Sequence, residues 1–473
     1  MIVAVALDLG TTGIKAGLLA QDGTLGGIVS RHAPRISPDG GRYESDALAY
    51  AETADAVLAE CLAQTAAAGA GMPFGLCSQR SSFLIWERAS GKPVTPLISW
   101  QDGRGAESCA ALRDSDGIIR ELTGLPLTPY YLAPKLRVLL REHPAWRERL
   151  LSGEWLLGTL DTFLIWRWTG GKHIIDVSMA ARTLLLDIHQ QQWSPALCEL
   201  FGIPPQVLPQ VRPSAGLGLP LENGLILQAS LGDQSAALVT SIAAGQPEAL
   251  VNLGTGGFVV CYLPENRREP DGYLQTLVWQ DETRRVHLAG EGTLNSIAAA
   301  LRPYPVDACR AEDLAGDDIF CLAEPSGLGA PYFRGDLGLI FSEPVGQLPP
   351  ERIAILLLEG IIFRVARILE DFQREFGIER VYLSGGRSAL PCLQQGIAQC
   401  VPFAVYRLSQ TDASLLGAAR LAAGMPGAGI RTAEKVNVFR PAHRLPGKYA
   451  RWKDWLDALL HKSPSGQGGR PPG

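Results

Sequence analysis

Two short segments hold the residues best placed to do chemistry. Residues 8–19 read DLGTTGIKAGLL and residues 252–263 read NLGTGGFVVCYL, with five of twelve positions identical at an offset of 244 residues. Each reads as a strand, a Gly-Thr-x-Gly turn and a second strand. Glycine at such a bend lets backbone N–H groups approach an anion closely. Thr11, Thr12 and Thr255 add hydroxyl donors, and Gly254 opens the second bend. One such turn alone is only a turn. Two, half a chain apart, would hold a polyphosphate between two domains. Asp8 ends the strand before the first turn, where it could hold Mg²⁺ through water, since Mg²⁺ prefers one or two carboxylates plus phosphates and water. The same carboxylate could cap the turn. Gly232-Asp233-Gln234 follows an apolar strand and precedes a helix. A carboxylate there is commonly a helix cap. Its place before the second hairpin instead sets Asp233 in the cleft between the domains, and phosphoryl transfer to an alcohol needs a carboxylate within reach of that hydroxyl. Gly385-Gly386, after a strand, permits flat contact with a nucleotide base or forms a tight turn.

The elements that must position these groups follow from local pattern. The apolar run at 2–7 reads as a strand buried on both faces. Residues 14–19 and 25–31 are further strands, joined by a hairpin at Asp22-Gly23, which accepts the positive φ of a tight turn. Asp46 caps an Ala-rich helix running to about residue 68. Residues 74–77 and 224–228 are buried strands. Residues 155–158 lead into a helix that holds Asp161 and Trp166. Residues 234–244 read as a helix, and 250–254 and 258–263 as strands. The longest helix spans about 351–376, with Ile353, Leu356, Leu357, Ile361, Val365, Ile368, Leu369 and Phe372 at the three-four spacing of a buried stripe, ended by Gly377. The tail at 463–473, all polar or Gly/Pro, is expected to be disordered.

The chain has 473 residues, beyond the roughly 250–300 at which single cores stop growing. The internal repeat therefore reads as a duplicated α/β domain, with the boundary near Gly245. With 46% hydrophobic and 19% charged residues, the composition is globular, and a net charge of −5 with no basic stripe argues against nucleic acid as a partner. Nine cysteines without a CxxC pair read as reduced thiols. No apolar stretch nears the ~20 residues of a membrane span, and no signal peptide is evident, so a cytoplasmic protein without membrane association is expected.

Together these residues resemble the FGGY carbohydrate kinases, within the sugar kinase, actin and Hsp70 group. The resemblance covers about 3–425. It is carried by the two hairpins and by SQRSSFLIWERASGKPVTPLISWQDGR (78–104), TGLPLTPYYLAPKL (123–136), GTLDTFLIWRWTGG (158–171), GDQSAAL (232–238), GLGAPYFRGDLGLIFS (327–342), LEGIIFRV (358–365) and SGG (384–386). It implies an α/β fold of two ribonuclease H-like domains with an interdomain active-site cleft: 1–245 binding the acceptor and holding the base, 246–440 binding ATP, and 441–473 a C-terminal helix and tail. It implies ATP-dependent phosphorylation of a hydroxyl of a small polyol or ketose, with Asp233 as catalytic base and Asp8 as the Mg²⁺-associated carboxylate. Thr11, Thr12, Gly254, Thr255, Gly385 and Gly386 fall on nucleotide positions, and Arg80, Trp100, Tyr130, Asp233, Gln234 and Phe258 on acceptor-pocket positions. Relatives in this group are often homodimers or homotetramers.

Two departures bear on specificity. Glycerol kinases follow the Gln-Arg pair with a Glu that hydrogen-bonds the acceptor, and Ser81 stands there. They carry an Asn after the double glycine that reaches adenine, and Leu390 stands there. Mismatched donors and acceptors in a polar pocket discriminate strongly, so a longer polyol or a ketose gains over glycerol, with glycerol kinase proper as the alternative. Beside these stand an actin-like ATPase switch and a non-catalytic sugar-binding relative. The first is disfavoured by the Gln-Arg, SWQD and PYY segments, the second by intact Asp8 and Asp233.

Overall fold

In a computed structural model the chain divides into two compact units. The first comprises Met1–Ala244, Gln275–Ala289 and Thr411–Arg431, the second Gly245–Leu274, Gly290–Gln410 and Thr432–Gly473. The structure describes residues 1–65, 71–265, 270–409, 412–425, 433–437 and 444–462. The expected disorder of 463–473 lies outside these, and the Ala-rich helix stops at Leu62 rather than near residue 68.

The first unit is built on a six-stranded sheet. Its strands are β1 (Ile2–Leu9), β2 (Gly13–Ala20), β3 (Leu25–His32), β4 (Pro73–Ser78), β5 (Ala215–Pro220) and β6 (Ile226–Gly232), in the order β5-β6-β4-β1-β2-β3. β1, β4 and β6 run parallel, while β2, β3 and β5 are antiparallel to their neighbours. Parallel strands are covered on both faces, which is why Ala4, Val5, Ala6 and Leu7 form an unbroken buried run in β1. The β2–β3 hairpin turns at Gly23 with φ +84°, and the Asp22 carboxylate accepts from the Thr24 amide at 3.0 Å. The helix Ala47–Leu62 starts as expected, the Asp46 side chain accepting from the Leu48 and Ala49 amides. A second, five-stranded sheet is formed by Ser37–Asp39, Arg42–Ser45, Phe83–Glu87, Leu97–Ile98 and Trp155–Thr159.

A seven-stranded sheet, with most of its strands in the second unit, repeats the plan. Its strands are β7 (Glu248–Leu253), β8 (Gly257–Tyr262), β9 (Leu274–Gln280), β10 (Val286–Leu294), β11 (Arg380–Ser384), β12 (Ala404–Leu408) and β13 (Ala433–Lys435), in the order β9-β10-β8-β7-β11-β12-β13. β7, β11 and β12 are parallel and β13 is an antiparallel edge, as β1, β4, β6 and β5 are in the first unit. The duplication read from twelve residues therefore extends to the parallel core of the sheet and its antiparallel edge. Its core packs on the helix Pro350–Phe376, which ends at Gly377 with φ +68°. Inside it, Arg364 and Glu324 form a fully buried pair at 2.7 Å. All nine cysteines are free thiols, seven of them buried. No described helix is long and apolar enough to cross a membrane.

One helix of the first unit comes from far along the chain. Ala413–Ala422 packs on β1, on β4 and on the helix Asp233–Ser241. The approach is backbone to backbone. A Cβ on Gly417 would lie 1.9 Å from the Ala236 carbonyl oxygen, and one on Gly75 would lie 2.1 Å from that of Ala418. We predict that Gly417→Ala lowers stability by about 3 kcal/mol through overpacking, read as a lower urea midpoint. An unchanged midpoint would contradict this seating.

Candidate active site

The three parallel strands of the first unit end level with one another. Leu9 pairs with Ser78, and Ser78 with Gly232. The residues that follow, Gly10-Thr11, Gln79-Arg80 and Asp233-Gln234, therefore leave the sheet together at its carboxyl edge, where open α/β sheets bind ligands. Asp8 sits one residue back on β1, half-buried. Its Oδ2 accepts from the Ser414 hydroxyl, while its Oδ1 is buried without a hydrogen-bond partner. Burial, with the Asp233 charge adding, pushes the Asp8 carboxyl up to about 6 against the Ser414 bond.

Asp233 is the first residue of the helix Asp233–Ser241, and its carboxylate accepts from the Gln234 amide at 2.7 Å. Burial raises its pKa, while the Arg80 and Arg182 guanidinium groups oppose the rise. Arg80 Nε lies 3.9 Å from Asp233 Oδ1, and its Nη2 donates to Gln234 Oε1. Arg80 and Gln234 are thus tied to each other. Trp100 and Tyr130 pack with ring centroids 5.4 Å apart, both half-buried, while the adjacent Tyr131 is buried. The Trp100 indole N–H donates to Thr11 Oγ1 at 3.0 Å. Thr11 is half-buried and Thr12 exposed.

Ser81 does not present its hydroxyl to this group. It is fully buried in left-handed backbone, φ +64°, and donates to the Arg182 carbonyl at 2.8 Å. Lys15 pairs with Asp412. Asp102 and Arg104 form a local turn pair, Arg104 Nε donating to Asp102 Oδ1 at 2.7 Å. Gln79, Tyr50, Ser82, Arg182 and Ser414, all linked to the group, escaped the sequence reading. Gln79 carried the one usable signal, its place beside Arg80 just past a buried strand.

In the second unit three of the four expected nucleotide residues line one cleft. Gly254, Thr255 and Gly386 border a cavity of about 470 Å³ with Ala298, Asp307, Arg387, Ala389, Leu390 and Pro391. The Gly254 amide donates to the Gly256 carbonyl at 2.8 Å, closing the second hairpin as the Gly10–Gly13 bond of 3.0 Å closes the first. Gly385 has φ +85°, and a Cβ there would meet the Leu253 carbonyl oxygen at 2.5 Å. It is thereby fitted to seat β11 against β7. Leu390 offers the cleft no hydrogen-bonding group, whereas Asp307 and Arg387 supply charged ones that the sequence reading missed. Phe258 lies half-buried on β8 of this unit.

Two family models span nearly the whole chain: the N-terminal domain of the FGGY family of carbohydrate kinases over residues 3–229, and the C-terminal domain over 249–425. The chain belongs to the FGGY family of carbohydrate kinases. A glycerol kinase from Pseudomonas putida is 33% identical to this FGGY kinase over 436 residues, covering 88% of this chain and 87% of that one. One from Rhodopirellula baltica is 33% identical over 484 residues, covering 96% and 89%. The fold is that of a Plasmodium falciparum glycerol kinase solved with ADP, with a TM-score of 0.83 at 21% identity over 98% of this chain and 99% of that one. It is equally that of a Rhodospirillum rubrum xylulose kinase, with a TM-score of 0.80 at 19% identity over 97% and 100%. The protein is thus an ATP-dependent phosphotransferase with an alcohol group of a polyol or sugar as acceptor.

A base acts as its carboxylate, so a raised pKa makes activity fall away as pH drops through that raised value. We predict that the acid limb of kcat/KM, which reports the free enzyme, lies above the ordinary carboxylate range near 4, because burial raises Asp233 and raises the neighbouring Asp8 carboxyl to about 6. A limb near pH 4 in a pH–rate profile would contradict the burial of this pair.

Proposed function

We propose that this FGGY kinase transfers the γ-phosphoryl of ATP to a hydroxyl of a longer polyol or a ketose, with Asp233 accepting the hydroxyl's proton. The observation that carries the reading is Asp233 itself. It stands at the carboxyl edge of β6, first in its helix, with its pKa raised by burial and Arg80 beside it. Arg80 and Gln234 supply polar contacts for acceptor hydroxyls, and Trp100 and Tyr130 an apolar wall, matching the mixed surface of a polyol carbon chain.

The nucleotide is assigned to the second unit's cleft, phosphates toward the Gly254-Thr255 hairpin and base toward Ala389-Leu390. The relative solved with ADP supports a nucleotide in this fold. The donor set suits Mg²⁺ bound mainly by phosphates and water. Among the described residues no cluster of three or more His, Cys, Asp or Glu could hold a metal, and Asp8 offers one unpartnered carboxylate oxygen. Asp8 would hold the ion through water; bound there, Mg²⁺ neutralises phosphate charge. The protein's contribution is otherwise positioning and electrostatics: donors of the Gly254-Thr255 turn for the phosphates, and the Asp233 carboxylate for the attacking hydroxyl.

The preference over glycerol rests on Ser81. No carboxylate follows the Gln-Arg pair, and the serine that replaces it turns its hydroxyl to Arg182. A small triol that relied on that carboxylate would leave hydroxyls unmatched, whereas a longer chain reaches other partners. Glycerol itself is the second reading, favoured by the names of the relatives at 33% identity.

Asp233→Asn is isosteric and cannot take the proton. We predict a loss of phosphoryl transfer of about 10²–10⁴-fold, with the calorimetric Kd for ATP changed less than about twofold. A variant that turns over normally would overturn the assignment of the base.

A further inference from the structure

Gln79 carries no role in the reading so far, yet it uses every polar atom it has. It is 2% exposed. Its amide N–H donates to the Leu9 carbonyl at 2.9 Å. Its Nε2 donates to the Tyr50 hydroxyl at 2.9 Å, and Tyr50 in turn donates to the Gly10 carbonyl at 3.0 Å. Its Oε1 accepts from Thr11 at 3.4 Å and from Ser82 at 3.0 Å. Ser82 Oγ accepts the Trp100 backbone N–H at 3.0 Å, and the Trp100 indole N–H closes the ring on Thr11 at 3.0 Å. One side of this network is the first hairpin, Gly10 and Thr11. The other is Trp100, a wall of the acceptor pocket.

We propose that Gln79 is a positioning residue that couples the acceptor pocket to the first phosphate hairpin. A shift of Trp100 against a bound acceptor changes the hydrogen bonds on Thr11 and Ser82, and through Gln79 and Tyr50 resets the Gly10-Thr11 backbone. The Thr11 hydroxyl is then a link in the network, and the exposed Thr12 is the hydroxyl free for phosphate. Directionality is built in. Burial pushes the Tyr50 phenol up to about 12, so it stays a donor to Gly10, and the carboxamide of Gln79 must turn its NH₂ to Tyr50 and its oxygen to the hydroxyls. Buried networks of this kind are costly when half satisfied, so the two ends hold one another in register. The consequence is that ATP turnover is productive when the acceptor is in place.

This rests on the reading that Asp233 serves an acceptor beside Trp100. The test measures ADP release with glycerol, xylitol and D-xylulose, and ADP release without acceptor, for wild type, Gln79→Met, Tyr50→Phe, Trp100→Phe and the Gln79→Met/Trp100→Phe double variant. The expected result is a fall in transfer of about 10–100-fold for Gln79→Met, with acceptor-free hydrolysis falling less than about threefold. Tyr50→Phe, which deletes one oxygen, moves the transfer-to-hydrolysis ratio in the same direction. The double variant loses no more than about threefold beyond the worse single, because both act through one network. Equal falls in transfer and hydrolysis, or losses that multiply fully in the double variant, overturn the coupling. Wild type that transfers to none of the three acceptors overturns the underlying reading and this proposal with it. Transfer by wild type with an unmoved ratio in Gln79→Met and Tyr50→Phe overturns this proposal alone.

Discussion

The register of three parallel strands is the constraint on which the first unit's chemistry depends. Leu9, Ser78 and Gly232 lie in one row across β1, β4 and β6. That row makes a hairpin turn, a Gln-Arg pair and a helix-leading carboxylate emerge side by side, although they lie up to about half the chain apart. A slip of one residue in any strand would turn its side chains to the opposite face, taking Asp8 or Arg80 out of the group. The buried run in β1 fixes the register from beneath, because both of its faces are covered.

The same constraint explains why carboxylates can sit here at raised pKa. Strand ends of a buried sheet are poorly solvated, and a helix start supplies backbone donors that offset part of the cost. Asp233 has the Gln234 amide and nearby Arg80, while Asp8 has Ser414. Each is held, yet neither is fully neutralised. That is the condition the proposed proton acceptor and the proposed Mg²⁺-associated carboxylate require near neutral pH. The Ser414 contact depends on the helix Ala413–Ala422, seated by glycines that leave no room for a Cβ.

Much of this was legible in the chain because the signals are local. The hairpins show as Gly-Thr turns between apolar runs, the long helix as a three-four stripe, and the duplication as a twelve-residue echo. The strands at 2–9 and 13–20 and the helix ending at Gly377 lie within about two residues of their expected bounds. The partners that hold the site in place were not legible. Gln79 meets Tyr50 across 29 positions, and Ser414 meets Asp8 across 406. Nothing in the local pattern around Tyr50 or Ser414 marks them, since their roles arise only when the sheet and its returning helix are assembled. Ser81 illustrates the same limit. Its type suggested a hydroxyl toward ligand, but left-handed backbone turns it to Arg182.

Phosphoryl transfer that needs an acceptor alcohol is followed most directly by ³¹P NMR of ATP while polyols and ketoses are added one at a time in the presence of Mg²⁺. The expected result is a new phosphomonoester resonance, growing in step with ADP, for one of the longer polyols or ketoses and far faster than inorganic phosphate forms without acceptor. ADP and inorganic phosphate appearing at one rate whatever alcohol is present, with no phosphomonoester, would contradict it.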